Sequence, residues 1–202
     1  MRKKFFYVIG LCVSLLFATS CGSGGGNNLS KVSTDAAGFE KIQQELTAKF
    51  GENAYYDLIY IGNNLPANRP GGGVWVNVNV TTKPESLKME QWSYASTIGW
   101  RNTSEITIEM SGDANVKDYL FQLDGNKFNL KKVGELVTAS SKKLADEKNL
   151  SKTVLASAVI NTFNQPVSDT DTKILIDMKP ENGGTTFHFI YDLSGKLLDF
   201  SY

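Results

Sequence analysis

The chain has 202 residues, of which 41% are hydrophobic and 11% aromatic, so it can build a folded core and does not have the composition of a disordered protein. Lysine and arginine together number 21, as do aspartate and glutamate, and no run of basic residues forms a patch along the sequence. This balance argues against a nucleic-acid-binding protein, which needs concentrated positive charge. The length fits one domain or two small ones.

The first 20 residues have the organisation of a secretory signal peptide. Basic residues at positions 2–4 precede an apolar run from Phe5 to Ala18, and Thr19, Ser20 and Cys21 follow. The apolar run is shorter than the roughly 20 residues that a membrane-spanning helix needs. Its length and flanks match the central region of a signal peptide.

The residues that end at Cys21 resemble the lipobox of bacterial lipoproteins, and the Asn-rich segment after them resembles lipoproteins of the Bacteroidetes type. The resemblance implies cleavage before Cys21, acylation of that cysteine and stable anchoring in an envelope membrane by several acyl chains. Surface-exposed lipoproteins of that type often carry acidic residues just after the cysteine. Residues 22–28 carry none, so the resemblance implies an outer-membrane anchor that faces the periplasm. The alternative is an ordinary cleaved signal, after which Cys21 is a free thiol.

The two cysteines do not enter the folded part in this interpretation. Cys12 leaves with the signal and Cys21 is acylated, so disulfides, cysteine nucleophiles and thiolate metal sites are not expected. The signal also removes three basic residues, which leaves 18 basic against 21 acidic residues and a net charge near −3.

A flexible Gly/Ser/Asn-rich tether is predicted over residues 21–35, and a helix after it. Asp35 is a suitable N-cap and Gly51 a suitable stop. Between them, apolar residues recur at helical spacing on one face: Phe39, Ile42, Leu46 and Phe50. Four strands are expected next, because apolar and polar residues alternate: Tyr55–Ile61, Val74–Thr82, Leu87–Ile98 and Thr103–Met110.

The second half repeats this order of elements. A hairpin is predicted over residues 119–130, with its turn at Asp124 and Gly125, and a helix with an apolar face from Val133 to Leu144 follows. Residues 150–161 fit either a buried strand or a helix, and we predict a strand. Three more strands complete the chain: Lys173–Met178, Thr185–Tyr191 and Leu197–Tyr202.

We therefore predict an α+β fold made of two helix-plus-four-stranded antiparallel sheet units in tandem, over residues 36–112 and 113–202. Each helix has one apolar face that must cover a sheet, since neither layer can bury its apolar side alone. The tandem order and the closing hairpin Thr186–Leu197 resemble PepSY-like and β-lactamase-inhibitor-protein-like modules. A shared fold does not fix a function, so no functional residue is transferred from that resemblance.

No catalytic or metal-binding set is predicted. His188 is the single histidine, and it lies on the strand face opposite Phe187 and Phe189 without a nucleophile motif in the chain. One histidine without cysteines makes a zinc site improbable. The Asp169–Asp171 segment lacks the glycine and the closing glutamate of a calcium loop. Neither a cofactor nor a metal is expected.

One group of residues suggests recognition. Trp75 lies on the polar face of its strand with Asn77, and Trp92 and Tyr94 lie on the face of theirs that carries Lys88 and Glu90. If these faces coincide in one sheet, the aromatic rings form a partner-binding surface, because tryptophan and tyrosine combine large contact area with a hydrogen-bonding group. The alternative is that the rings belong to the core, by coverage of that face or through a β-bulge between Glu90 and Trp92.

The leading hypothesis is a non-enzymatic, membrane-anchored envelope lipoprotein that binds a protein, peptide or glycan. The alternative is a structural or accessory subunit of an envelope assembly. A third class, an enzyme that uses carboxylates alone, would require acidic side chains from separate strands to converge in one cleft.

Overall fold

The structure is a computed structural model that describes residues 29–66, 72–110, 113–124, 128–162, 165–168 and 172–202. The predicted signal peptide, Cys21 and the Asp169–Asp171 segment lie outside these residues. The described part contains two helices, α1 (Ala36–Phe50) and α2 (Leu130–Lys148). Neither is long and apolar enough to cross a membrane.

Nine strands are described: β1 (Tyr55–Asn64), β2 (Gly73–Thr81), β3 (Lys88–Ala95), β4 (Gly99–Thr107), β5 (Phe121–Gln122), β6 (Thr153–Asn161), β7 (Lys173–Pro180), β8 (Phe187–Asp192) and β9 (Leu197–Ser201). They form one antiparallel sheet in the order β4-β3-β2-β1-β6-β7-β8-β9, with β5 also paired to β1. The predicted α+β class is confirmed. Residues 150–161 contain a strand, as predicted.

The ends of α1 follow the local signals in the sequence. The Asp35 side chain accepts a hydrogen bond from the Gly38 N–H at 2.9 Å, and the Ser33 hydroxyl and that N–H together lower the pKa of Asp35. Gly51 ends the helix with φ 89°, where its N–H donates to the Thr47 carbonyl. The predicted helix bounds are confirmed.

The two halves of the chain meet along β1 and β6. Their pairing runs from Leu58 opposite Asn161 to Gly62 opposite Ser157, so the strands of both halves form one continuous sheet. The predicted hairpin over residues 119–130 is confirmed only next to its turn, where Asp124 and Phe128 form an antiparallel bridge. Phe121 and Gln122 pair with the start of β1 instead of with the second arm, and α2 already begins at Leu130.

Both helices lie on one side of the sheet and contact each other. Gly134 of α2 allows this approach, since a Cβ at that position would lie 2.5 Å from the Asp35 carbonyl oxygen. The core between the helices and the sheet contains Phe39, Ile42 and Leu46 of α1 and the alternate valines of β2. Each layer thereby covers the apolar side of the other.

The last residues of the predicted tether belong to the folded part. Leu29 begins a 3₁₀ turn, is fully buried in the core, and donates its N–H to the Tyr94 hydroxyl at 3.0 Å. The predicted boundary at residue 35 is therefore wrong, because a buried leucine and its hydrogen bond fix the chain six residues earlier.

Candidate functional site

The face of the sheet opposite the helices, here called the open face, is the candidate site. Residues that face each other across antiparallel strands project to the same side, so the register defines rows across the sheet. The central row crosses eight strands, from β4 to β9: Arg101, Ser93, Asn77, Tyr60, Val159, Leu175, Ile190 and Asp199. Four adjacent members, from Tyr60 to Ile190, are half-buried aromatic or aliphatic side chains, with polar residues on both sides of them.

Tyr60 and Trp75 form the aromatic part of the open face. Their rings stack with centroids 4.7 Å apart and an interplanar angle of 26°. Trp75 pairs with Gly62, and a Cβ on that glycine would lie 2.2 Å from the indole Cε2. The absence of a side chain at Gly62 thus lets the indole ring lie over the β1 backbone, against Tyr60.

The prediction that Trp92 and Tyr94 share a face with Trp75 and Asn77 is wrong. The register places Tyr94 opposite Val76 and Trp92 opposite Val78, on the side that the helices cover. Lys88 and Glu90 made this face of β3 look polar in the sequence. Both are exposed, although the same face carries the buried Tyr94 further along the strand.

Trp92 instead belongs to an aromatic group at the end of α1. Phe50 contacts Trp92 and Trp100 edge to face, with centroids 5.8 Å and 5.4 Å apart. The Trp92 N–H donates to the Glu90 carboxylate at 2.7 Å, and the Lys49 ammonium lies 4.3 Å from its ring centroid. Trp92 therefore packs against the edge of the hydrophobic core and is not part of the open face.

Hydrogen bonds between side chains hold the polar part of the open face. The Ser93 hydroxyl donates to the Asn77 carbonyl oxygen at 2.6 Å. The Gln91 amide donates to the Asn79 oxygen at 3.1 Å, and Asn79 in turn hydrogen-bonds Asp57. Side chains fixed in this way lose less conformational freedom when a partner binds.

A second polar row contains Ser157, Asp177 and His188. The Asp177 carboxylate accepts from the Ser157 hydroxyl at 2.9 Å and contacts His188 Nδ1 at 2.8 Å, so the aspartate lies between the other two. A serine nucleophile needs the histidine beside it. Ser201 lies opposite His188 on β9, but among the described residues no hydrogen bond joins its hydroxyl to the imidazole; the serine in contact with this row is Ser157, which hydrogen-bonds the aspartate. His188 is exposed on this face, as predicted.

A cavity of about 480 Å³ lies at one corner of the open face, where the 3₁₀ turn Val116–Tyr119 covers Met89. Asp57 lines it from β1, beside an irregularity in the pairing with β2. The Asp57 Oδ1 atom is buried without a hydrogen-bond partner among the described residues, and burial raises the pKa of this carboxyl. Sequence reasoning missed this site. Its one available signal was an aspartate inside the apolar strand Tyr55–Ile61.

The described residues contain no cluster of three or more potential metal-ligating side chains. Comparison with known proteins adds no relative, since no protein-family model, curated protein or solved structure matches the chain significantly.

Proposed function

We propose that the chain is a lipid-anchored envelope protein that binds another protein through the open face of its sheet. Cys21 would carry the anchor, and the folded part would consist of two helix-plus-four-strand units joined edge to edge at β1 and β6. The observation that carries the proposal is the row of Tyr60, Val159, Leu175 and Ile190 on that face.

The chemistry of this row suits a protein surface. Neighbouring strands are about 4.8 Å apart, so four adjacent positions give an apolar strip about 15 Å long. Polar side chains flank it on both sides, with Asn77 at one end and Asp199 at the other. An apolar centre with a polar rim is the usual anatomy of a protein–protein interface.

Substitution within the strip tests this function. Leu175→Arg should abolish capture of the partner when living cells are cross-linked and the tagged protein is purified, because it puts a charge at the centre of the interface. Leu198→Arg is the matched control, since Leu198 is 44% exposed and lies outside the row. Equal capture of the same partners by both folded variants would refute binding through the open face.

The anchor is tested separately. Cys21→Ser should abolish incorporation of radiolabelled palmitate and release the protein from the membrane fraction. Retention of the variant in membranes, without label in either form, would refute the lipid anchor and leave the open face unaffected.

A second candidate is a structural or accessory subunit of an envelope assembly. It is favoured by β4, an edge strand in the described sheet whose residues Arg101–Glu105 are all exposed. Such an edge can accept a strand from another chain. Cross-links that map to β4 rather than to the open face would support this candidate over the first.

A further inference from the structure

The cavity at the corner of the open face is lined by apolar and acidic side chains. Its walls include Ile106, Ile108 and Val116, whereas Asp57 and Glu109 supply two carboxyl groups. None of the described residues that line it is a lysine, arginine or histidine. The cavity therefore combines apolar walls with two acidic side chains and no basic side chain among its described lining residues, so a ligand with an apolar body and a positive charge would match both features.

The Asp57 carboxylate is the group in the cavity that lacks a partner of opposite charge within the part of the chain that the structure describes. Asn79 hydrogen-bonds the carboxylate, but Oδ1 has no partner among the described residues and is removed from water. A partly buried carboxylate without a cationic partner is unfavourable, and a positive charge placed beside it lowers that cost. Asp57 lines the cavity wall, so a cation held in the cavity lies next to this side chain.

We propose that this cavity binds a small amphiphilic cation, namely a primary ammonium group on an apolar body. The ammonium group lies between Asp57 and Glu109, and the apolar body lies against Ile106, Ile108 and Val116. Tyr119 also lines the cavity, and its ring would add a cation–π contact with the ammonium group. A volume near 480 Å³ is within the usual range for small-molecule sites.

An organic cation fits these residues better than a metal ion. Calcium takes six to eight oxygen ligands, and magnesium keeps an octahedral oxygen shell. Here the lining combines two carboxyl groups and two threonines with mainly aliphatic side chains, and the described residues contain no cluster of three or more potential metal-ligating side chains. The apolar walls would stabilise a hydrocarbon body, whereas they offer a hydrated metal ion no ligands.

The test uses n-hexylammonium as the probe, with n-hexanol and n-hexanoate as probes of the same length but different charge. Each is titrated at neutral pH into the full chain with ¹³C-labelled methyl groups. Hexylammonium should shift the methyl signals of Ile106, Ile108 and Val116 in a saturable way. Hexanol should bind at least tenfold more weakly, and hexanoate should give no saturable shift.

Asp57→Asn keeps the shape of the side chain and removes its charge, so it should weaken hexylammonium binding at least tenfold. Asp118→Asn is the matched control, because Asp118 is exposed on the covering turn and does not line the cavity. Glu109→Gln, at an exposed position, gives a second variant and should weaken binding severalfold.

Four results would overturn the proposal. The first is the absence of saturable shifts with hexylammonium. The second is equal binding of hexanol or hexanoate, and the third is unchanged affinity in the Asp57→Asn protein. The fourth is saturable shifts of the same methyl signals with calcium chloride alone, which would assign the cavity to a metal ion.

Discussion

Replacement of Gly62 by alanine should remove the Tyr60–Trp75 stack while the fold survives. The new Cβ would lie 2.2 Å from Cε2 and 2.3 Å from Nε1 of Trp75, which is too close for any real contact. The atoms in conflict belong to a half-buried side chain, so the indole ring should swing away and the β1 backbone should stay in place.

The expected change in stability is small, because two effects oppose each other. Loss of an aromatic stack costs about 0.5–1.5 kcal/mol beyond its buried area. Replacement of glycine within a strand by alanine stabilises by roughly 0.5–1 kcal/mol, through the lower entropy of the unfolded chain. The free energy of unfolding should therefore fall by no more than about 1 kcal/mol.

Urea unfolding and tryptophan fluorescence measure the two consequences of Gly62→Ala. A Trp75→Phe protein, subtracted from each spectrum, isolates the signal of Trp75 from those of Trp92 and Trp100. Trp75 emission should move to longer wavelength and become more quenchable by iodide. Unchanged emission and quenching, or a loss of about 3 kcal/mol typical of core disruption, would refute displacement of the ring.

Three further predictions concern the cavity and the packing of the helices. Burial raises the pKa of Asp57 above 3.8, so the native state binds a proton more tightly than the unfolded state, and stability falls as pH rises through that window. Asp57→Asn should accordingly be more stable than the wild type at neutral pH and should lose this advantage toward pH 3. If urea unfolding shows the same difference in stability at every pH, burial of the charged Asp57 carboxylate is not its cause. Gly134→Ala should lower the free energy of unfolding by about 1–2 kcal/mol, since the overlap with Asp35 outweighs a helix-propensity gain of up to about 1 kcal/mol, and a stabilised variant would disprove the close helix approach. Ser140→Ala removes the 2.8 Å hydrogen bond to Tyr191 and should cost about 1–2 kcal/mol. It should also raise the pKa of Tyr191, which burial already raises and the Ser140 hydroxyl lowers; an unchanged alkaline absorbance titration would show that this bond is unimportant.

Local patterns predicted the parts of this fold that depend on neighbouring residues. The bounds of α1 follow from the Asp35 cap and from Gly51, and the alternate valines of β2 are buried as a period of two requires. His188 faces away from Phe187 and Phe189 for the same reason. In each case the geometry of a single helix or strand fixes the side on which a residue lies.

The candidate sites depended on more than local patterns. Trp75 was predicted on the polar face of its strand, and it does lie on the open face beside Asn77. Its real partner is Tyr60, which the sequence gave no reason to select, because the two residues meet only through the pairing of β1 with β2. Asp57 likewise became notable only when the turn Val116–Tyr119 closed the cavity around it.

The sequence by itself determined the α+β class, the two helices with the ends of α1, and the alternation within most strands, because these depend on contacts between residues close in the chain. Only the tertiary structure decided that β1 pairs with β6, that Trp92 and Tyr94 face the helices, and that the Oδ1 atom of Asp57 is buried beside a cavity. The physical reason is that strand pairing and register depend on contacts between segments that are far apart in the sequence. A strand's own alternation separates its two faces, but pairing and burial decide which face joins the core.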